Sequence, residues 1–207
     1  MCKKLVCLVF FVLMLVGMLL AASSSAEAWN SNDIGNVQAT GSLDANDGVY
    51  TIEASGDDLW GQLDEGHIVY RQLSGDCELT ARVVSIDWTN EWAKAGVTIR
   101  ESLDSDSRNA TMLMTPSGRA LFQRRYQTAE YTYGDPIEWN LSLPYWVRLV
   151  RTGDTFKAYR SSDGVSWTQQ GSTQTISMSE DTYAGLVVTS HNDGTLCTAV
   201  FDNVNIQ

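Results

Sequence analysis

The amino-acid sequence predicts an all-β protein, a two-sheet antiparallel β-sandwich or jelly roll. Ten or so short runs alternate apolar and polar residues, and Gly, Asn and Asp residues separate them. No run after the N-terminal segment has the periodicity of an amphipathic helix, and the chain has only 3 prolines. Dipeptides typical of tight turns lie between runs, at Gly153-Asp154, Asp163-Gly164 and Asp193-Gly194.

The N-terminal segment has the residue order of a secretory signal peptide. Lys3 and Lys4 precede an apolar run over residues 5–20, and small residues follow up to Ala28. We expect cleavage after Ala28, which would remove residues 1–28 and leave the protein secreted or periplasmic. An uncleaved N-terminal anchor is the alternative, because the run approaches the length of a membrane span. Residues 29–207 are then enough for a single domain.

The ten runs, taken in order, predict ten strands. They cover residues 49–55, 67–73, 77–87, 91–102, 109–115, 119–127, 145–151, 155–161, 182–191 and 196–206. In the run over residues 91–102, alternation places small apolar side chains on one face and Trp92, Lys94 and Arg100 on the other. That polar face is either solvated sheet or the floor of a binding groove.

The alternation stops between Gln127 and Leu143. This stretch predicts a long loop or irregular edge that carries Tyr131, Tyr133 and Trp139. Because loops of this length in compact domains are commonly functional, we expect these rings to be presented at the surface rather than buried.

Charge and cysteine content bear on partners and compartment. The formal net charge of −11 opposes binding to phosphate backbones and anionic membranes, so we expect no nucleic-acid partner and no membrane contact after leader cleavage.

Cys77 and Cys197 remain after cleavage, and each shares strand parity with apolar neighbours. If their strands are adjacent, we expect a disulfide between them, as suits an oxidising compartment. Two buried free thiols are the alternative.

Several segments resemble bacterial extracytoplasmic domains of the concanavalin A-like lectin/glucanase superfamily, which are LamG-like jelly rolls. The segments are GDCELTARV, WAKAGVTIRES, PYWVRLVRTGDTFKAYRSSDGVSWTQQG, YAGLVVTSHNDGTL and AVFDNV, and the likeness extends from about Asp33 to Ile206. The resemblance implies a sandwich with a concave and a convex side and carbohydrate binding as the usual role. The chain departs from the family in having cysteines where glycine or alanine is more usual.

Catalytic motifs do not accompany this resemblance. Glucanases of the superfamily carry alternating acids of the Glu-x-Asp-x-x-Glu type on one strand, whereas Glu101 and Asp104 here fit a solvated turn. The sequence has no Gly-x-Ser-x-Gly elbow and no nucleophile motif beside His67 or His191. We therefore predict a protein that is not an enzyme, with a glycoside hydrolase that uses another acid pair as the least favoured alternative.

No cofactor is predicted, although a structural calcium ion is an open alternative. Asp33 and Asn36 could meet Asp202 and Asn203 if the terminal strands pair, and oxygen ligands of this kind suit calcium. Two histidines on separate strands do not predict a zinc site.

The predicted site combines aromatic rings with planar hydrogen-bonding groups, because a sugar has an apolar C–H face and a rim of hydroxyls. The candidate carbohydrate-binding residues are Trp60, Trp92, Lys94, Arg100, Gln123, Arg125, Tyr131 and Tyr133, with Trp139 beside them. We predict a carbohydrate-binding module that holds a poly- or oligosaccharide on the concave sheet. A cell-surface protein-interaction or structural module is the alternative, and each tryptophan alone would also suit the core.

Overall fold

The computed structural model describes residues 28–207, so the predicted leader lies outside the described residues except for Ala28. In chain order the strands are β1 (Asn30–Ile34), β2 (Ser42–Asn46), β3 (Val49–Ala54), β4 (Leu59–Trp60), β5 (Leu63–Asp64), β6 (Gly66–Ser74), β7 (Cys77–Ile86), β8 (Lys94–Arg100), β9 (Asn109–Met114), β10 (Ala120–Arg125), β11 (Tyr133–Gly134), β12 (Tyr145–Thr152), β13 (Thr155–Ser161), β14 (Thr168–Thr175), β15 (Asp181–Thr189) and β16 (Cys197–Ile206). Over this range no residue is helical, and thus no helix could span a membrane.

Two seven-stranded antiparallel sheets form the sandwich. Sheet A has the strand order β1-β6-β15-β8-β9-β10-β11, and sheet B has the order β14-β13-β12-β7-β16-β3-β2. Strands β4 and β5 form a separate small hairpin, which we call the cover hairpin. The predicted fold class, an all-β two-sheet sandwich, is confirmed.

The main core lies between the two sheets. In β8 the side chains of Ala95, Val97 and Ile99 point into it and are fully buried, as their alternation predicts. Phe156 and Phe201 meet them from sheet B. Each large apolar side chain buried in this way contributes about 1.5–3 kcal/mol relative to its exposed state, so this layer holds the sheets together.

A second apolar cluster lies on the outer face of sheet A, the face that points away from sheet B. Leu113, Leu121 and Val187 project from this face and pack with Leu59 of the cover hairpin. Sheet A is therefore buried on both faces along part of its length. Thr98, on the polar side of β8, is also buried. This side of the strand is therefore not solvated along its whole length, and it is not the floor of an open groove along its whole length either.

The predicted disulfide is wrong. Strands β7 and β16 are adjacent, as expected, but they run antiparallel with Ala199 opposite Ile86 and Ile206 opposite Leu79. This register puts Cys77 and Cys197 at opposite ends of the strand pair, roughly 30 Å apart at about 3.3 Å per residue. Both cysteines are buried free thiols.

The pairing on which the calcium expectation depends does not form. Strand β1 pairs with β6 at the edge of sheet A, whereas β16 lies inside sheet B. Asp33 Oδ1 lies 2.7 Å from Nδ1 of His67, and the Asp202 carboxylate is paired with Arg82. Within residues 28–207 no three His, Cys, Asp or Glu side chains are grouped to hold a metal ion.

Candidate functional site

A cavity of about 430 Å³ opens on the outer face of sheet A, beside the cover hairpin. We call it the groove. Its floor is formed by Lys94 of β8 and by Leu121 and Gln123 of β10. These side chains share one face because residues two apart in a strand point to the same side of the sheet and the two strands flank β9.

Loops and the cover hairpin supply the walls of the groove. The wall residues are Asp58, Trp60, Trp92, Gly134, Asp135, Ile137 and His191. Gly134 lies against the Trp60 indole, where an added Cβ would come within 3.3 Å of the ring. The absence of a side chain at Gly134 therefore lets the cover hairpin approach β11.

Gln123 carries the least satisfied polar atom of the floor. Its side chain is 3% exposed, and its Oε1 has no hydrogen-bond partner within residues 28–207. A buried carbonyl oxygen without a donor costs about 1–3 kcal/mol. A ligand hydroxyl would remove this cost once a rotation of the amide turned Oε1, which is shielded from solvent, toward the groove.

Lys94 is held on the floor by two acceptors. Its Nζ donates to Asp58 Oδ1 over 2.5 Å and to the carbonyl oxygen of Trp92 over 2.9 Å. Burial lowers the pKa of Lys94, and the Asp58 carboxylate opposes that shift. Asp58 Oδ2 is also 3.2 Å from His191 Nδ1, although the two groups are not aligned for a hydrogen bond.

An arginine between two indoles orients Trp92. The Arg119 guanidinium carbon lies 4.0 Å from the centroid of the Trp92 ring and 4.7 Å from that of Trp139. Glu91 accepts a hydrogen bond from Arg119 Nη2 over 2.7 Å. Cation–π contacts of this kind contribute about 0.5–1 kcal/mol each at exposed sites, so Trp92 is held in a defined orientation.

Arg100 and Arg125, two of the predicted binding residues, do not line the groove. Both side chains are buried against the Asp64 carboxylate of the cover hairpin, at 2.6 Å for Arg100 Nη1 and 2.8 Å for Arg125 Nη2. Arg125 also donates to the carbonyl oxygens of Ser107 and Glu130. Their guanidinium groups thus fix the hairpin to sheet A and lie outside the groove lining.

The loop aromatics are exposed, as expected, but they lie outside the groove lining. Tyr131 is 63% exposed, Tyr133 is 44% exposed and Trp139 is 49% exposed. Tyr133 Oη donates to Glu130 Oε1, whereas the neighbouring Gly134 forms part of the wall. Of the eight predicted binding residues, the structure brings together Trp60, Trp92, Lys94 and Gln123.

Sequence reasoning missed four polar and apolar wall residues. Asp58, Asp135, Ile137 and His191 come from segments between regular strands, where no alternation marks which side chains share a surface. Asp135 pairs with Arg124 at 3.0 Å and accepts a hydrogen bond from the Ser172 amide. The only local feature of the sequence that marks this segment is Gly134-Asp135-Pro136, which is typical of a turn. It does not indicate that the segment lines a groove.

No family model and no curated protein matches this chain. The narrower family resemblance therefore remains an expectation from the sequence. Similarity appears instead among solved structures, where identities are low and the fold is shared.

Three such structures have the same β-sandwich. A functionally unknown protein from Saccharomyces cerevisiae has a TM-score of 0.65 and 15% identity, over 87% of this chain and 95% of that one. Carbohydrate binding module CBM66 from Bacillus subtilis has a TM-score of 0.55 and 16% identity, over 86% and 94%. The GH43 BlXynB protein from Bacillus licheniformis has a TM-score of 0.58 and 13% identity over 75% of this chain, which spans 32% of that protein.

Proposed function

We propose that this protein is a carbohydrate-binding module that holds an oligo- or polysaccharide in the groove. The observation that carries the proposal is Gln123 Oε1, a buried acceptor without a partner in the described chain, on the floor of a cavity lined by Trp60 and Trp92. A sugar supplies both an apolar C–H face for an indole and a hydroxyl donor for the amide oxygen.

The expected affinity is moderate. Each stacked ring contributes roughly 0.5–1.5 kcal/mol beyond its area burial, and a satisfied hydrogen bond about 0.5–1.5 kcal/mol. Two rings with a few hydrogen bonds correspond to a dissociation constant on the order of micromolar to millimolar. The name of one protein of the same fold, carbohydrate binding module CBM66, supports this class of ligand.

We further propose that binding is not followed by hydrolysis. Glycoside hydrolysis by two carboxyl groups requires one of them to donate a proton. The two acids that line the groove both face cations of the protein, since Asp58 contacts Lys94 and Asp135 contacts Arg124. The charged, apolar and small-residue order of residues 1–28 supports action outside the cytoplasm.

A glycan array and an insoluble-polysaccharide pull-down with residues 29–207 test the proposal. The Trp60→Ala variant removes a groove indole, and Trp88→Ala is its matched control, because Trp88 is 66% exposed and lies outside the groove. We expect binding that Trp60→Ala weakens and Trp88→Ala preserves. Absence of binding across a broad panel would contradict the proposal and favour a protein-interaction module.

A further inference from the structure

We propose that the groove selects neutral glycans and rejects acidic ones, such as uronates. The inference rests on the proposed function and concerns the charge of the ligand at that site. Its basis is that three cations at the groove, Lys94, Arg119 and Arg124, are each already paired with a carboxylate of the protein.

Lys94 is the cation that lines the cavity directly. Its side chain is 3% exposed, and its Nζ is committed to Asp58 and to the Trp92 carbonyl. Two of its three N–H donors are therefore used, and an acidic sugar that took the third would place its carboxylate beside that of Asp58, whose like charge opposes it.

The other two cations are also paired with carboxylates of the protein. Arg119 is stacked between Trp92 and Trp139 and pairs with Glu91 at 2.7 Å. Arg124 lies 3.0 Å from Asp135, and both of these side chains are about nine-tenths buried. Neither guanidinium group can turn toward the cavity without breaking an ion pair.

The acids face the cavity more directly than two of the cations that neutralise them. Asp58 and Asp135 both line the groove, whereas Arg119 and Arg124 do not. A ligand carboxylate therefore meets like charge, which is a means of rejecting wrong partners. A neutral sugar has no such conflict, because its hydroxyls can donate to Gln123 Oε1 and to unshared lone pairs of Asp58 and Asp135.

Matched glycan pairs test the proposal with residues 29–207. In glucan and glucuronan, and in mannan and mannuronan, the backbone linkage is the same and only a carboxylate differs, whereas xylan and glucuronoxylan share a backbone and differ in acidic branches. For every backbone that binds, we expect the neutral member to bind about tenfold or more tightly than the acidic one. Equal or tighter binding of the acidic member overturns the proposal and leaves carbohydrate binding standing. Binding to no member of any pair contradicts the proposed function itself.

The Asp58→Asn variant separates local charge from the overall acidity of the chain. The substitution removes the carboxylate charge that pairs with Lys94. The ratio of the affinity for the neutral glycan to that for the acidic glycan should therefore become smaller. Asp44→Asn is the matched control, because Asp44 is exposed on β2 of sheet B and its loss changes the net charge equally. An unchanged ratio in folded Asp58→Asn, or equal narrowing in Asp44→Asn, would overturn the proposal that pairing in the groove sets the selectivity.

Discussion

Lys94 Nζ lies 2.5 Å from Asp58 Oδ1, and this contact ties the floor of the groove to the segment that leads into the cover hairpin. The Lys94 side chain is almost fully buried, whereas Asp58 keeps 20% exposure at the cavity. One ion pair therefore takes part in both the fold of the outer face and the charge of the groove.

Loss of the Lys94–Asp58 ion pair should weaken both the fold of the outer face and the charge balance of the groove. In Lys94→Met the apolar stem is retained and Asp58 loses its main partner, so we expect the free energy of unfolding to fall by about 1–3 kcal/mol. Urea denaturation measures the change. Lys157→Met on β13, outside the groove, is the control and should stay within about 0.5 kcal/mol of wild type. Equal stability of the two variants would show that the pair does not hold the hairpin.

Asp64 should be among the costliest single carboxylates to remove. Asp64→Ala leaves two buried guanidinium groups, those of Arg100 and Arg125, without their carboxylate. Breaking a buried ion pair from one side typically costs about 3–5 kcal/mol, and we expect a loss of this size in chemical denaturation. The exposed Asp44→Ala is the comparison. A loss no larger than that of Asp44→Ala would refute the role given to the Asp64 cluster.

The two thiols should make stability fall at alkaline pH. Burial raises the pKa of Cys77 and of Cys197 from 9.0 to about 11, so between these pH values the folded state binds more protons than the unfolded state. Their contribution is present below pH 9.0 and is lost as the pH rises through about 11. Denaturation of wild type and of the Cys77→Ala, Cys197→Ala double variant at stepped pH measures it. If the difference in the free energy of unfolding between wild type and the double variant stayed constant with pH, the prediction would be contradicted.

A bound glycan should remain intact. Because Asp58 and Asp135 each face a cation of the protein, we expect incubation with any glycan that binds to release no new reducing ends. Chromatography of the products over a long time course checks this. Release that continues with time and disappears in Asp58→Asn or Asp135→Asn would establish the protein as a hydrolase instead.

The sequence predicted the interior strands and missed the edges. Its ten runs correspond to the ten strands that have a neighbour on both sides, and the four missed strands of the two sheets are β1, β2, β11 and β14, which lie at the four edges. Interior strands must bury a face and so alternate apolar residues. An edge strand such as β14, with the sequence TQQGSTQT, is placed by backbone pairing and has no apolar alternation.

The site was predictable where it lies on strands. Lys94 and Gln123 follow from alternation, because each belongs to the polar side of its strand. The same rule puts Arg100 and Arg125 on this face, yet they lie outside the groove, since parity identifies the face of a sheet but not what covers that face. The cover hairpin has strands of two residues, too short for any periodicity, and its contact with sheet A depends on residues distant in sequence.

The measurement that tests the central claim most directly is titration calorimetry of the Gln123→Leu variant with the tightest glycan found. Leucine keeps much of the side-chain volume and removes the acceptor, so we predict about tenfold weaker binding without loss of thermal stability. Gln72→Leu, an exposed glutamine outside the groove, should bind like wild type. Unchanged affinity in Gln123→Leu would contradict the account, because the ligand would then not depend on the buried acceptor of the groove.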